Sequence, residues 1–217
     1  MIDSSVNTNQ DQFERTKFYI RDIVNGLDIA MDKTRVGMAS IANGGENDFF
    51  MNEYYNKQRL MFAIEQLRFQ NLPTNFADVL RFVFDTMFDL SSGVRWGVPS
   101  ILVIFVSSQT DISGTAVQQQ AQRLKHEKQV TIFTVVIGRV SDEAQLQNDL
   151  ADLVTSPREH YAFQVDDAGN LHSKWNPTIE NPFLKRLCQA IPGILGCSLT
   201  RESLTHYLSV KLCLAQQ

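Results

Sequence analysis

Two segments of the chain are continuous β-branched, apolar or aromatic runs: Ile101-Leu102-Val103-Ile104-Phe105-Val106 and Val130-Thr131-Ile132-Phe133-Thr134-Val135-Val136-Ile137. Both are rich in β-branched and aromatic residues and show no polar alternation, which predicts central strands of a parallel sheet covered on both faces. Thr34 to Ile41 alternates more and predicts a strand nearer an edge, and Tyr161 to Val165 predicts a short one stopped by Asp166-Asp167. Between them the apolar residues recur at helical spacing. The stripes are Phe13, Ile20, Val24 and Leu27; Leu60, Ile64 and Leu67; Phe76, Val79, Leu80, Val83, Phe84 and Met87; and Val117, Ala121 and Leu124. A last stripe, Leu146, Leu150 and Leu153, follows Ser141-Asp142-Glu143, a sequence suited to capping a helix and to the positive end of its dipole. Strands alternating with helices predict right-handed βαβ units, hence an α/β fold: a doubly wound, mostly parallel sheet with helices on both faces.

Beyond Val165 the pattern loosens. Asp166 to Pro182 is polar and interrupted by Gly169, Asn176-Pro177 and Asn181-Pro182, and predicts a loop. Phe183 to Ile191 predicts one short helix, ended by Pro192-Gly193, and another is expected around Ser203 to Leu214. The 217 residues fit one domain of ordinary size with an appendage, and we assign residues 1–191 to the domain and 192–217 to a C-terminal extension. The hydrophobic share of 43% suffices for a core. A formal net charge of -4 gives no basic surface for nucleic acid or anionic lipid, and no apolar run approaches the roughly 20 residues that span a bilayer.

An open α/β sheet binds ligands beyond the carboxyl ends of its strands. Three oxygen-rich segments are expected to meet there: Asp3-Ser4-Ser5-Val6-Asn7, Pro73-Thr74-Asn75, and Ser107-Ser108-Gln109-Thr110-Asp111. A hard cation such as Mg²⁺ takes several oxygen ligands, usually with one or two carboxylates. The simpler roles are helix capping by Asp3, Ser5 or Thr74, and local hydrogen bonding by Asn75 and Asp78. Enzyme chemistry finds little footing. No glycine-rich phosphate loop or nucleophile elbow follows a strand, and Asn43-Gly44-Gly45 leads into an acidic, aromatic stretch rather than a helix. The histidines are scattered, and Trp96 and Trp175 are expected to pack or anchor loops.

Asp3-x-Ser5-x-Asn7 resembles the DxSxS motif of von Willebrand factor type A domains. Asp32 to Gly37 is similar to the entry of that family's second strand, and Leu72 to Asn75 to its threonine-bearing loop. Gly97 to Ile104 looks like its fourth strand and Phe163 to Asp167 its sixth, so the resemblance covers about residues 1–191. Lys33-Thr34-Arg35-Val36-Gly37 and Arg95 to Val103 resemble the extracellular members, matrilins and collagen type VI modules. The resemblance implies a non-enzymatic, secreted module that binds extracellular matrix proteins, collagen among them, within a longer chain holding neighbouring modules. It also places the family's metal ligands on Asp3, Ser5, Asn7, Thr74 and Ser107. Asn7 stands where the family has serine and Ser107 where it has aspartate, which leaves Asp3 as the one carboxylate of the set. A unit charge about 4 Å away is worth roughly 4 kcal/mol at an effective dielectric near 20, so the implied site is vestigial or weak. Two functions follow: a metal-independent interaction module, or a Mg²⁺-dependent adhesion domain that takes a ligand carboxylate through Asp3, Ser5 and Thr74. Asp111, four residues along, is the candidate substitute carboxylate.

In the family the strand before Asp3 is central, and here only Met1 and Ile2 precede it. That first strand is therefore expected to be largely missing and the sequence to be a fragment of a longer protein. The odd set of Cys188, Cys197 and Cys213 agrees. Related modules join a cysteine ahead of the first strand to one after the last helix, which implies that Cys188 lacks its partner and that Cys197 and Cys213 pair.

Overall fold

The computed structural model describes residues 1–171 together with 186 and 187. A six-stranded sheet runs in the order β3-β2-β1-β4-β5-β6. The strands are β1 (Ile2–Asp3), β2 (Met38–Ile41), β3 (Glu46–Phe49), β4 (Ser100–Ser107), β5 (Val130–Ile137) and β6 (Ala162–Val165). Every neighbouring pair is parallel except β2 with β3. The two continuous apolar runs are β4 and β5, paired in register from Ser100 opposite Val130 to Ser107 opposite Ile137. Their period-2 geometry sends alternate side chains to opposite faces.

Each face is covered by helices. Leu102, Ile104 and Val106 of β4 and Ile132 and Val136 of β5 pack in one core with α3 (Phe76–Phe82), α4 (Thr115–Glu127) and α5 (Glu143–Leu153). Phe105, Phe133, Val135 and Ile137 pack in the other with α1 (Gln10–Asn25) and α2 (Lys57–Glu65). Phe13, Ile64, Leu80, Leu124 and Ile132 are among the fully buried side chains, and each such burial contributes about 1.5–3 kcal/mol. The predicted stripes thus mark the helices, and Asp142 caps α5 through its side chain on the Gln145 N–H. The Phe76 stripe continues past α3 into a π turn at Val83–Met87, where Phe88 N–H reaches Val83 O.

Several expectations are corrected. The strand expected over Thr34 to Ile41 is confined to Met38–Ile41; it lies next to the edge rather than at it, wholly buried between β1 and the outer strand β3. Asn43-Gly44-Gly45 turns the chain back into β3, with φ of 47°, 79° and 99°; a Cβ on Gly45 would meet Phe82 at 2.8 Å. Of the stretch expected to loop out after Val165, residues 166–171 turn back inward, with Ala168 and Leu171 buried in the α1 core, and residues 172–182 lie outside the described residues. Trp96 is no packing anchor; it is 87% exposed. Tyr54, by contrast, packs edge-on against Phe49, and the Arg35 guanidinium lies over Tyr55, so that segment is turn packing. The first strand is short and central, as expected. Ile2 is fully buried, pairs with Ser40 and Phe105 on its two sides, and is preceded by the Met1 amino group, which donates to Val103 O at 2.6 Å. Arg186 and Leu187 are helical, but the remainder of the helix assigned to 183–191, Trp175, the extension from 192 and all three cysteines lie outside the described residues.

A carboxylate-centred site at the carboxyl end of the sheet

The end of β1 delivers Asp3 to the carboxyl edge of the sheet, between the ends of β2 and β4. The side chain is buried, at 5% exposure, and burying a charge is costly unless its oxygens are satisfied. Four donors satisfy them. Oδ1 accepts from the Ser5 N–H at 3.0 Å and the Ser5 hydroxyl at 2.7 Å. Oδ2 accepts from the Ser107 N–H at 2.9 Å and the Thr110 hydroxyl at 2.6 Å. Two hydrogen bonds per oxygen match the roughly four lone-pair sites a carboxylate has.

The hydroxyls around it are committed as well. Ser5 Oγ, while donating to Asp3, accepts from the Asn7 N–H at 3.2 Å. Ser107 Oγ donates to Asn7 O at 2.6 Å and accepts from the Gln109 N–H at 3.2 Å. Asn7 thus joins the network through its backbone. A turn, Thr110 N–H to Ser107 O at 3.0 Å, folds Thr110 back over the site. The Pro73-Thr74-Asn75 loop is tied alongside by Asn71 N–H to Ser4 O, Val6 N–H to Leu72 O and Asn43 N–H to Pro73 O. Behind the site, β5 is followed by Gly138, with φ 120° and room for no side chain; a Cβ there would stand 2.3 Å from Ser108 Oγ.

The structure therefore brings together Asp3, Ser5, Asn7 and Ser107, with Thr74 on the adjoining loop. It does not bring Asp111, whose exposed carboxylate accepts from the N–H and hydroxyl of Ser113 and is held below the usual carboxylate range by those bonds. Capping falls to other residues: Asn9 caps α1 and Asn75 caps α3, so neither Asp3, Ser5 nor Thr74 is a helix cap. Thr110 is the member that sequence reading missed. Its signal was the three-residue step from Ser107, the span of one turn.

As a cation site the donor set is a poor fit. The one carboxylate has all its lone pairs occupied by protein donors, and the hydroxyls of Ser5 and Ser107 each act as both donor and acceptor. The buried Thr74 Oγ1 has no hydrogen-bond partner among the described residues, but it is a single neutral oxygen. Among the described residues no group of three His, Cys, Asp or Glu side chains gathers elsewhere, and no helix is long and apolar enough to cross a membrane.

The comparisons with known proteins agree with this architecture. A family model described as the von Willebrand factor type A domain matches residues 1–175. Matrilin-1 of Gallus gallus is 23% identical over 167 residues, covering 76% of this chain and 32% of the matrilin. Vitrin of Mus musculus is 25% identical over 205 residues, covering 92% and 30%, and the collagen alpha-5(VI) chain of Homo sapiens is 27% identical over 190 residues, covering 87% and 6%. The chain thus spans about a third or less of the length of these relatives. Among solved structures, proximal thread matrix protein 1 from the mussel byssus superposes with a TM-score of 0.73 at 17% identity, covering 86% of this chain and 46% of that one. The same protein has been solved with a zinc-occupied MIDAS motif, with a TM-score of 0.69 at 17% identity over 79% of this chain and 44% of that one. The manganese-loaded TRAP protein of Plasmodium vivax superposes at 0.60 with 14% identity, over 81% of this chain and 70% of that one. At such identities the structural likeness speaks for the fold. With a family model spanning most of its length and the strand order of a doubly wound sheet, the chain belongs to the von Willebrand factor type A domain family.

Proposed function

We propose that this chain is a non-enzymatic, secreted protein–protein interaction module of the extracellular matrix, binding matrix proteins, collagen-like ones included, without a divalent cation. Its relatives among matrilins, vitrin and collagen VI chains support the matrix setting and the presence of neighbouring modules in a longer protein. The observation that carries the metal-independent reading is the saturation of Asp3 by four protein donors. The loops at the same end supply a partly apolar contact surface: Val6 and Leu72 are adjacent and exposed, and the neutral Asn71 and Asn75 flank them. Interaction loops carried on a rigid scaffold vary freely, which suits a binding role.

A second reading is a Mg²⁺-dependent adhesion domain in which a ligand carboxylate completes the metal's coordination above Asp3, Ser5 and Thr74. The buried Thr74 oxygen, without a hydrogen-bond partner among the described residues, favours it, as do the zinc- and manganese-bearing neighbours of the same fold. Biosensor binding of the purified chain to immobilised collagen and matrilin, in EDTA and in Mg²⁺, separates the two. Equal binding in both buffers is the expected result. Binding only with Mg²⁺, abolished by Asp3→Ala, selects the second reading, and no binding in either buffer defeats both.

A further inference from the structure

We propose that Thr110 stands in for the cation: its hydroxyl and the Ser107 N–H together hold Asp3 Oδ2, locking the two ligand-end loops at a fixed spacing without metal. This rests on the metal-independent reading above and names the residues that make it work. A buried carboxylate left bare on one oxygen would demand either a counter-ion or a donor. Oδ1 is served locally by Ser5, two residues away in sequence. Oδ2 is served from the last residue of β4 and from the loop after it, by groups 104 and 107 residues distant. The contact at 2.6 Å is in the short range of charge-assisted hydrogen bonds, so Thr110 supplies the positive end of a dipole where a cation would supply charge.

The side chain at position 107 completes the exchange. Ser107 Oγ donates to the Asn7 carbonyl, which ties the loop between β1 and α1 to the end of β4. A carboxylate in its place would face that carbonyl oxygen and stand beside Asp3, two repulsions that a cation would have to offset. A serine here and a hydroxyl donor at 110 therefore belong to one solution, and an acid here belongs to another. Thr110 is fixed for its task by the turn to Ser107 O and by burial at 6%, with Ile112 buried in the α3–α4 core just beyond it. Thr110 is in this sense a positioning residue: it acts on the loops through Asp3.

The test compares wild type, Thr110→Val, Thr110→Ser and Ser107→Asp by thermal denaturation in EDTA and in Mn²⁺, with Mn²⁺ binding followed by titration calorimetry. Wild type is expected to show the same Tm in both buffers and no binding heat. Thr110→Val, nearly isosteric, is expected to lower Tm by roughly 4–10 °C in EDTA without recovery in Mn²⁺. Thr110→Ser, which keeps the hydroxyl, is expected to restore most of the loss. Ser107→Asp is expected to lose stability in EDTA and regain it in Mn²⁺; should it fail to fold, the Val and Ser pair decides alone. A Thr110→Val protein as stable as wild type, or a Val loss that Ser does not restore, overturns the proposal. So does a wild-type Tm that rises with Mn²⁺ to saturation. Loss of matrix binding in EDTA with the Thr110 pattern intact would instead count against the functional reading alone.

Discussion

Replacing Asp3 by Asn tests the energetic weight of the carboxylate knot directly. The amide is nearly isosteric but offers one oxygen acceptor, and its NH₂ must face one of the two donor pairs. If the oxygen stays on the Ser5 side, the buried Ser107 N–H loses its acceptor and meets another donor, while the Thr110 hydroxyl must rotate away. An orphaned buried donor costs about 1–3 kcal/mol, and exchanging charge-assisted for neutral hydrogen bonds at the other positions costs about as much again. The sum is roughly 2–6 kcal/mol. For a domain of this size each kcal/mol moves Tm by about 2–4 °C, so a fall of roughly 4–24 °C is expected for Asp3→Asn in EDTA. Asp111→Asn is the matched control. It also loses an aspartate that accepts from a serine N–H and hydroxyl, but an exposed one, and its Tm is expected to move by less than about 2 °C. The reasoning fails if the two variants behave alike, or if the Asp3→Asn loss is seen only in buffer containing divalent cations.

Two other substitutions probe the frame around the site. Burial in β3 pushes the Asp48 carboxyl up to about 6 from its ordinary 3.8, against the opposing hydrogen bond from Ser40 Oγ at 2.9 Å. The folded state then holds its proton to higher pH than the unfolded chain does. This group's contribution to stability is therefore greatest below pH 4, declines between about pH 4 and 6, and is flat above. Asp48→Asn keeps the acceptor for Ser40, and chemical denaturation at neutral pH is expected to show it about 1–3 kcal/mol more stable than wild type, with the advantage gone at acid pH. At Gly138 both the left-handed φ and the contact with Ser108 oppose a side chain. Gly138→Ala is expected to cost about 1–3 kcal/mol in urea denaturation, and adding Ser108→Gly to relieve only the contact part.

The parts of the fold legible in the sequence are those where one physical effect dominates. β4 and β5 are buried on both faces and so had to be apolar or β-branched almost throughout. The helices bury one stripe each, which fixes their period. β3 was illegible because Glu46-Asn47-Asp48-Phe49 is a short outer strand whose charge keeps an edge soluble, the opposite of a strand signal. Its turn at Asn43-Gly44-Gly45 was legible only as not being a phosphate loop, since a helix does not follow it. At the site, Asp3, Ser5 and Ser107 were legible because strand ends in an open sheet converge. Thr110 and Asp111 were not separable by composition. Their roles depend on which way one turn after Ser107 points: Thr110 folds back onto Asp3, while Asp111 caps its own loop at Ser113.

The long span of the Asp3 bonds also bears on the order in which the molecule assembles. Ser5 reaches Asp3 from two residues away, but Ser107 and Thr110 reach it from more than a hundred, and closing so large a loop is an entropic cost that cannot be met until other contacts hold β4 beside β1. The knot therefore forms late, after the two helix-covered faces have condensed. Weakening it is expected to leave the refolding rate nearly unchanged and to speed unfolding instead. The loops at the ligand end would then be the first to open, and would open as a unit, in hydrogen exchange under native conditions.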